Sequence, residues 1–193
     1  MVVETVSTSY GSSTSSTLLR RAASNEPAAW ETLVNLCHPL VYGWVQYSGW
    51  QHADVENVVQ EVFATVATKL PDFQSTADGS FRGWLKAIVR SKVVDYARKR
   101  KKDSRYQIDL EVEVDSLSSS EAKREARQMY VRVLQLIRRE INERDWLIFW
   151  RKEVEGATAR QVADELSLSV AAVYSVIARL RKHIRQYYGD FLE

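Results

Sequence analysis

Apolar side chains recur at steps of three and four residues along most of this chain, a spacing typical of amphipathic helices. The segments 30–45, 55–70 and 129–141 all follow it. Asp54 is a candidate N-cap just before the second segment, and Ser80 is a candidate N-cap for a helix that begins at Phe81. The chain has only seven Gly and three Pro among 193 residues, which disfavours a turn-rich sheet protein. The sequence therefore predicts an all-α fold. It predicts no membrane span, because no apolar run approaches the roughly 18 residues that a span needs.

Breaks in this spacing divide the chain into two small helical domains. Residues 1–17 are rich in Ser and Thr without a signal-peptide pattern, and we interpret them as a disordered leader. One domain is predicted over 18–104 and a second over 123–193. Between them, 105–122 alternates apolar with acidic side chains, which suggests an extended acidic linker or, as the alternative, a short strand without a partner. The acidic residues are Asp109, Glu111, Glu113 and Asp115.

A basic run ends the first predicted domain. Residues 81–102, FRGWLKAIVRSKVVDYARKRKK, hold nine Lys or Arg and one Asp, whereas the rest of the chain holds 18 basic and 24 acidic side chains. Such clustering indicates a polyanionic partner. On a helix, three cations at i, i+4 and i+8 would form a stripe beside an apolar face that carries Phe81 and Trp84. A melted DNA strand needs cations for its backbone and aromatic surfaces for its unstacked bases, and this helix offers both. Packing in the protein core is the simpler explanation of both aromatic residues. The stripe is Arg82, Lys86 and Arg90.

The last third of the chain has the spacing of a helix-turn-helix. Asn142 is a candidate N-cap, and Gly156 is a candidate helix stop. Thr158 with Gln161 forms a capping-box pattern before a short helix, and Ser169 can cap a longer helix after a brief turn. In DNA-binding motifs of this kind the start of the second helix enters the major groove. A plain helical hairpin with a charged solvent face is the alternative.

Together these blocks resemble a bacterial RNA polymerase sigma factor of the sigma-70 family, extracytoplasmic-function (ECF) type. DVENVVQEVF at 54–63 is similar to the family's polymerase-clamp segment, and 81–102 is similar to its promoter-melting and −10-reading helix. Residues 143–185 are similar to its −35-binding domain. The resemblance covers nearly all of 18–188. Each part alone is a weak signal, but QEVF, FRGWL and YARKR at this separation form a specific combination.

The resemblance implies a cytoplasmic, non-enzymatic protein without a cofactor. It would bind core RNA polymerase, recognise the −10 and −35 elements of promoter DNA and promote strand opening. An anti-sigma factor is a common further partner in the family, and the linker is expected to pass through the nucleic-acid channels of the polymerase. Polymerase binding is expected of Asp54, Glu56, Gln60, Glu61 and Phe63. Binding of the −10 strand is expected of Arg82, Trp84, Lys86, Arg90, Ser91, Arg98, Lys99 and Arg100. Binding of the −35 duplex is expected of Ser169, Ala171, Ala172, Tyr174, Ser175, Arg179, Arg181 and Lys182.

The chain departs from the family's pattern at three positions. Ser91 stands where many relatives carry Asn at a position linked to base selection, and Tyr174 stands where many carry a charged or polar residue. Both departures bear on the promoter sequence that the protein would recognise. Ser167 stands where Gly is frequent in the turn, and this replacement costs little if the residue avoids a positive φ.

Two other classes of protein account for less of the sequence. An enzyme is disfavoured because the chain has no phosphate loop and no Rossmann glycine pattern, and its three His form no metal-binding motif. A helix-turn-helix regulator acting without polymerase would share the C-terminal block, but it would need neither QEVF nor the single-strand features of 81–102. The single cysteine, Cys37, cannot form an internal disulfide, which fits a reducing cytosol.

Overall fold

The computed structural model describes residues 17–46, 48, 50–74, 80–103 and 119–192. These residues form helices and no strand, so the predicted all-α fold is confirmed. A 3₁₀ turn at Leu70–Asp72 follows α3, and a π-helical turn at Trp150–Val154 follows α6. Residues 1–16 of the predicted leader and 105–118 of the predicted linker lie outside the described residues, whereas Thr17 already belongs to the first helix and residues 119–122 to the fifth. The helices are α1 Thr17–Ala23, α2 Pro27–Gln46, α3 His52–Lys69, α4 Phe81–Asp103, α5 Ser119–Glu140, α6 Glu143–Phe149, α7 Ala159–Glu165 and α8 Val170–Leu192.

Local side-chain caps begin four of these helices, as the sequence predicts. The hydroxyl of Ser80 accepts a hydrogen bond from Gly83 N at 3.2 Å, and the hydroxyl of Ser169 accepts one from Ala172 N at 3.1 Å. Asn142 caps α6, and the Thr158 capping box opens α7. Each cap satisfies a backbone N–H that the helix itself leaves unpaired.

The start of α3 differs from the expectation that Asp54 is its N-cap. The helix begins at His52, with Gln51 at the N-cap position and no side-chain cap. Asp54 lies in the first turn, and its carboxylate accepts hydrogen bonds from Tyr96 and Arg100 on α4. A tertiary contact has therefore replaced the local one, and no pattern within the segment reveals it.

The turn between α7 and α8 is strained at Ser167. Its φ is +53°. Serine at this position would cost little free energy only with a negative φ, so the replacement of the family's glycine is destabilising here. A residue with a Cβ loses about 1–2 kcal/mol in this left-handed region. By contrast, Gly156 has a φ of +75° after α6, where glycine carries no such penalty and is the helix stop that the sequence predicts.

Ser167→Gly is expected to raise the free energy of unfolding by about 0.5–1 kcal/mol, because relief of the positive φ outweighs the larger unfolded-state entropy of glycine. Urea unfolding followed by circular dichroism measures the change. Ser175→Gly, in the helical interior of α8, is the control and should lower stability by a similar amount. A destabilising effect of Ser167→Gly would contradict this account of the turn.

Two hydrophobic cores organise the helices. The first is built mainly from α1 to α4 and centres on fully buried side chains such as Leu33 and Val58. The second joins α5 to α8 around Phe149, Val162 and Val173. Each helix turns its apolar stripe inward, and this burial is the main favourable contribution to folding.

The end of α8 packs into the first core rather than the second. Phe191 is 1% exposed, and its ring centroid lies 5.2 Å from that of Phe81 at the start of α4. Tyr188 is equally buried, and its hydroxyl donates to Glu140 at 2.5 Å. On α5, Glu125 accepts a hydrogen bond from the Trp44 indole at 2.7 Å. The C-terminal helices therefore hold directly to the N-terminal four.

Cys37 is a core residue of α2. Burial raises the pKa of its thiol to about 12, so the side chain stays protonated at neutral pH and cannot act as a nucleophile.

In the part of the chain that the structure describes, no single helix is long and apolar enough to cross a membrane. Only α7 and α8 taken together, with a bend of 111° between them, are long and apolar enough.

Candidate nucleic-acid interface

The basic run forms one continuous helix, α4, with separate faces. Leu85, Val89 and Val93 lie buried in the first core. Because the stripe residues are four apart on this helix, they share another face, on which Arg82 and Lys86 are half-buried and Arg90 is exposed. Ser91 is also exposed. The helix thus presents cations along a rigid edge while its apolar side anchors it.

The aromatic residues at the start of α4 pack against one another. Phe73, which precedes the loop, lies 5.6 Å from Phe81 and 4.9 Å from Trp84 between ring centroids. Phe81 is buried, whereas Trp84 keeps part of its surface exposed. Core packing therefore explains Phe81 fully and Trp84 in part. Residues 75–79, between Gln74 and Ser80, lie outside the described residues.

An ionic cluster joins α3 to the end of α4. Asp54 accepts from the Tyr96 hydroxyl at 2.5 Å and from Arg100 Nη1 at 2.6 Å. Lys99 Nζ lies 3.9 Å from a carboxylate oxygen of Glu61. The hydrogen bond to Asp54 raises the pKa of the Tyr96 hydroxyl. The predicted polymerase face and the predicted DNA face are therefore linked through these side chains, and part of the charge at the end of the basic run is balanced internally.

The predicted polymerase face on α3 is partly accessible. Gln60 is exposed, and Glu56 and Glu61 are half-buried. Phe63 instead lies in the first core, with its ring stacked parallel to that of His38 at 6.1 Å. The polar side chains are thus available to contact a partner protein, whereas Phe63 anchors α3 to the first core.

The helix-turn-helix is formed by α7 and α8. Val162 and Ala163 pack against Val173 and Ile177, so the two helices share one apolar interior. This packing leaves the start of α8 open to solvent, with Ala172 half-buried. Val170 is 41% exposed beside these residues, although it is not among the predicted DNA-binding residues. It lies directly after the N-cap Ser169, and this position in the sequence could have predicted its exposure. The predicted residues that are exposed here are Ser169, Ala171, Tyr174 and Ser175.

Cations follow this exposed start along α8, and two of them are paired with acids. Arg179 forms an ion pair with Asp145, and Arg181 forms one with Glu153 at 2.6 Å. Both arginine side chains remain more than half exposed. Lys182 and Arg185 are exposed on the same helix. The helix therefore carries exposed cations at its middle and end, and neighbouring carboxylates partly balance their charge.

Residues 33–103 match the family model of sigma-70 region 2. The matched region contains α3 and α4 and therefore both the predicted polymerase face and the basic helix, whereas α7 and α8 lie beyond it. The family is non-enzymatic, as the sequence predicts. Among the described residues, no group of three His, Cys, Asp or Glu side chains could hold a metal ion.

A solved structure is also similar to this chain. It is described as the structure of CnrH in complex with the cytosolic domain of CnrY. The two chains are 25% identical over 86% of this chain and 90% of that one, with a TM-score of 0.37. No curated protein sequence matches the chain.

Proposed function

We propose that this protein is an ECF-type sigma factor of the sigma-70 family that binds core RNA polymerase and directs initiation at promoters with −10 and −35 elements. The observation that carries the proposal is the presence, in one chain, of a sigma-70 region 2 with a basic helix and of a separate helix-turn-helix. Neither role needs a cofactor. The ECF type adds an anti-sigma factor as an expected partner.

Each block has a distinct task in this proposal. The polar face of α3, with Gln60 and Glu61, docks on the polymerase clamp. The cationic face of α4 guides the backbone of the melted −10 strand, and Trp84 borders the place where a base can be held outside the stack. A stacked base contributes about 1–3 kcal/mol, which is comparable to the few kcal/mol that flipping a base costs. The start of α8 binds the −35 duplex.

The contact between the end of α8 and the first core limits when the protein can bind both promoter elements. The two promoter elements lie about 25 base pairs apart, or roughly 85 Å at about 3.4 Å per step. A compact chain of this length has a radius of gyration of about 16 Å, so it cannot contact both elements while Phe191 lies against Phe81. The end of α8 must leave the first core for both sites to act. Free protein is therefore expected to bind promoters weakly, and polymerase to hold the two halves apart so that the sites act together.

Transcription with core polymerase tests this function. Full-length protein is mixed with sigma-free core polymerase and genomic DNA, and the 5′ ends of the transcripts are mapped. We expect co-elution with the polymerase and transcripts that start at a shared sequence pattern. Gln60→Ala should weaken both, whereas Gln135→Ala, an exposed glutamine on α5, should change neither. Absence of both co-elution and transcripts would exclude the sigma function.

A DNA-binding regulator that acts without polymerase is the second candidate. The helix-turn-helix favours it, because this element alone suffices for binding duplex DNA. The same experiment separates the two candidates. A regulator would bind specific duplexes tightly by itself and would neither elute with core polymerase nor start transcripts.

Removing the acids that face the α8 arginines is expected to strengthen duplex binding. Asp145→Asn combined with Glu153→Gln frees Arg179 and Arg181 for phosphates, and ion pairs at a protein surface contribute about 0–1 kcal/mol each. We expect an affinity gain of about threefold to tenfold at low salt, measured by fluorescence anisotropy with a labelled 30-base-pair duplex.

The control for this change alters the same net charge elsewhere in the C-terminal helices. Glu143→Gln combined with Asp164→Asn removes two exposed carboxylates that do not pair with these arginines. A gain no larger than that of the control would show that only overall charge matters. A loss of affinity would instead mean that Asp145 and Glu153 position the arginines for phosphate binding.

A further inference from the structure

The exposed start of α8 carries none of the side chains that usually distinguish bases by paired hydrogen bonds. From Val170 to Ala178 the helix contains no charged residue and no Asn or Gln, and its first cation is Arg179. Because Val173 and Ile177 are buried, the residues left on the open side are small, hydroxylic or apolar. These exposed residues are Val170, Ala171, Tyr174, Ser175 and Ala178.

The chemistry of the major groove limits what such a face can recognise. Arg or Lys reads guanine, Asn or Gln reads adenine, and Asp or Glu accepts from cytosine, each through donors or acceptors that this face lacks. Serine bonds to several bases with little discrimination. The remaining distinctive feature is the C5-methyl group of thymine, which apolar side chains contact.

Two large apolar side chains stand on this face at helical spacing. Val170 is 41% exposed and Tyr174 is 57% exposed, whereas Val173, between them in sequence, is completely buried. They are four residues apart, so they lie one above the other on the helix. Their separation along the axis is about 6 Å, close to two base-pair steps of about 3.4 Å each. The pair can therefore reach the methyl groups of neighbouring or next-neighbouring base pairs.

We propose that Val170 and Tyr174 read thymine methyl groups, and that the duplex bound by α8 has A·T pairs at these two contacts. The inference rests on the proposed function, because it concerns the −35 duplex of that function. In this arrangement the cations at and beyond Arg179 hold phosphates and set the register of the helix, while the apolar pair supplies discrimination. A site selected by this helix is thus rich in thymine on one strand or the other.

Deoxyuracil substitution tests the proposal, because it removes the methyl group alone. The full-length protein is incubated with duplexes randomised over about ten base pairs, and the bound sequences are recovered and sequenced. In the best duplex each thymine is then replaced singly by deoxyuracil, and affinities are compared by anisotropy. Loss of one contacted methyl is expected to weaken binding about fourfold, as estimated from the transfer free energy of one buried carbon.

Variants assign the effect to the two side chains. Tyr174→Ser and Val170→Ser should each remove the response to one particular uracil, whereas Tyr174→Phe should keep it because the ring makes the contact. Tyr130→Ser is the matched control, since Tyr130 is a similarly exposed tyrosine on α5, outside the helix-turn-helix.

Several outcomes would overturn the proposal. The proposal would be wrong if the selected duplexes lacked thymine, if replacing each thymine by deoxyuracil left the affinity unchanged, or if no sequence were enriched from the library. Loss of transcription in Tyr174→Ser with unchanged duplex selection would also overturn it, because the pair would then contact a protein. In each of these cases promoter-specific transcripts with core polymerase would leave the proposed sigma function standing, whereas their absence would remove that function itself.

Discussion

Replacing Phe191 with alanine is expected to lower the free energy of unfolding by about 3–5 kcal/mol, the usual loss for a phenylalanine removed from a packed core. Phe191 is 1% exposed, and its ring contacts Phe81, which in turn packs against Phe73 and Trp84. The cavity would open where α8 meets the start of α4. Denaturant unfolding in urea measures the change, and an unaltered slope would confirm that the variant unfolds as one unit.

Tyr174→Ala is the control, because this aromatic residue of the same helix is 57% exposed and its loss should change stability by no more than about 0.5 kcal/mol. The double variant Phe81→Ala/Phe191→Ala should lose less than the sum of the two single variants, since the residues share one contact. A loss below about 1 kcal/mol for Phe191→Ala would contradict the packing of the α8 end in the first core.

Neutralising three cations on α8 is expected to weaken duplex binding about 100-fold near 0.15 M salt. Each phosphate contact contributes about 0.9 to the slope of log affinity against log salt. The variant with Arg179, Lys182 and Arg185 all replaced by Gln should therefore have a slope smaller by about 2.7. Anisotropy titrations with one duplex across a range of salt concentrations measure both quantities. The effect is electrostatic, so it should nearly disappear as the salt concentration approaches 1 M.

Three arginines on α5 are the matched control. Arg124, Arg127 and Arg139 are exposed, and replacing them with Gln changes the net charge by the same amount outside the helix-turn-helix. Their loss should alter affinity by less than about threefold and leave the slope nearly unchanged. Equal effects of the two triple variants would show that DNA responds to the total charge of the protein and not to a cationic end of α8.

Features that depend on neighbours in sequence were predicted well. Ser80, Asn142, Thr158 and Ser169 cap helices as expected, because an N-cap and the amide that it satisfies lie within three residues of each other. The separation of α4 into an apolar and a cationic face also followed from periodicity, since the helix repeat is the same in every protein.

Features that depend on distant partners were not predictable in this way. Asp54 was expected to cap α3, but it bonds to Tyr96 and Arg100, which lie 42 and 46 positions later. Ser167 was compatible with a negative φ until the approach of α7 to α8 required a φ of +53°. The sequence predicted that Arg179 and Arg181 bind phosphates, but in the structure they form ion pairs with Asp145 and Glu153.

The sequence by itself determined the helical class, four helix starts, the basic helix and the presence of a helix-turn-helix, because periodicity, caps and charge clusters act within a few residues. Only the tertiary structure decided that the end of α8 rests on Phe81, that α3 and α4 share an ionic cluster, and that Val170 and Tyr174 stand together in solvent. Those features depend on which faces remain uncovered after the helices pack. Burial of the apolar stripes selects that packing from contacts between residues far apart in the chain.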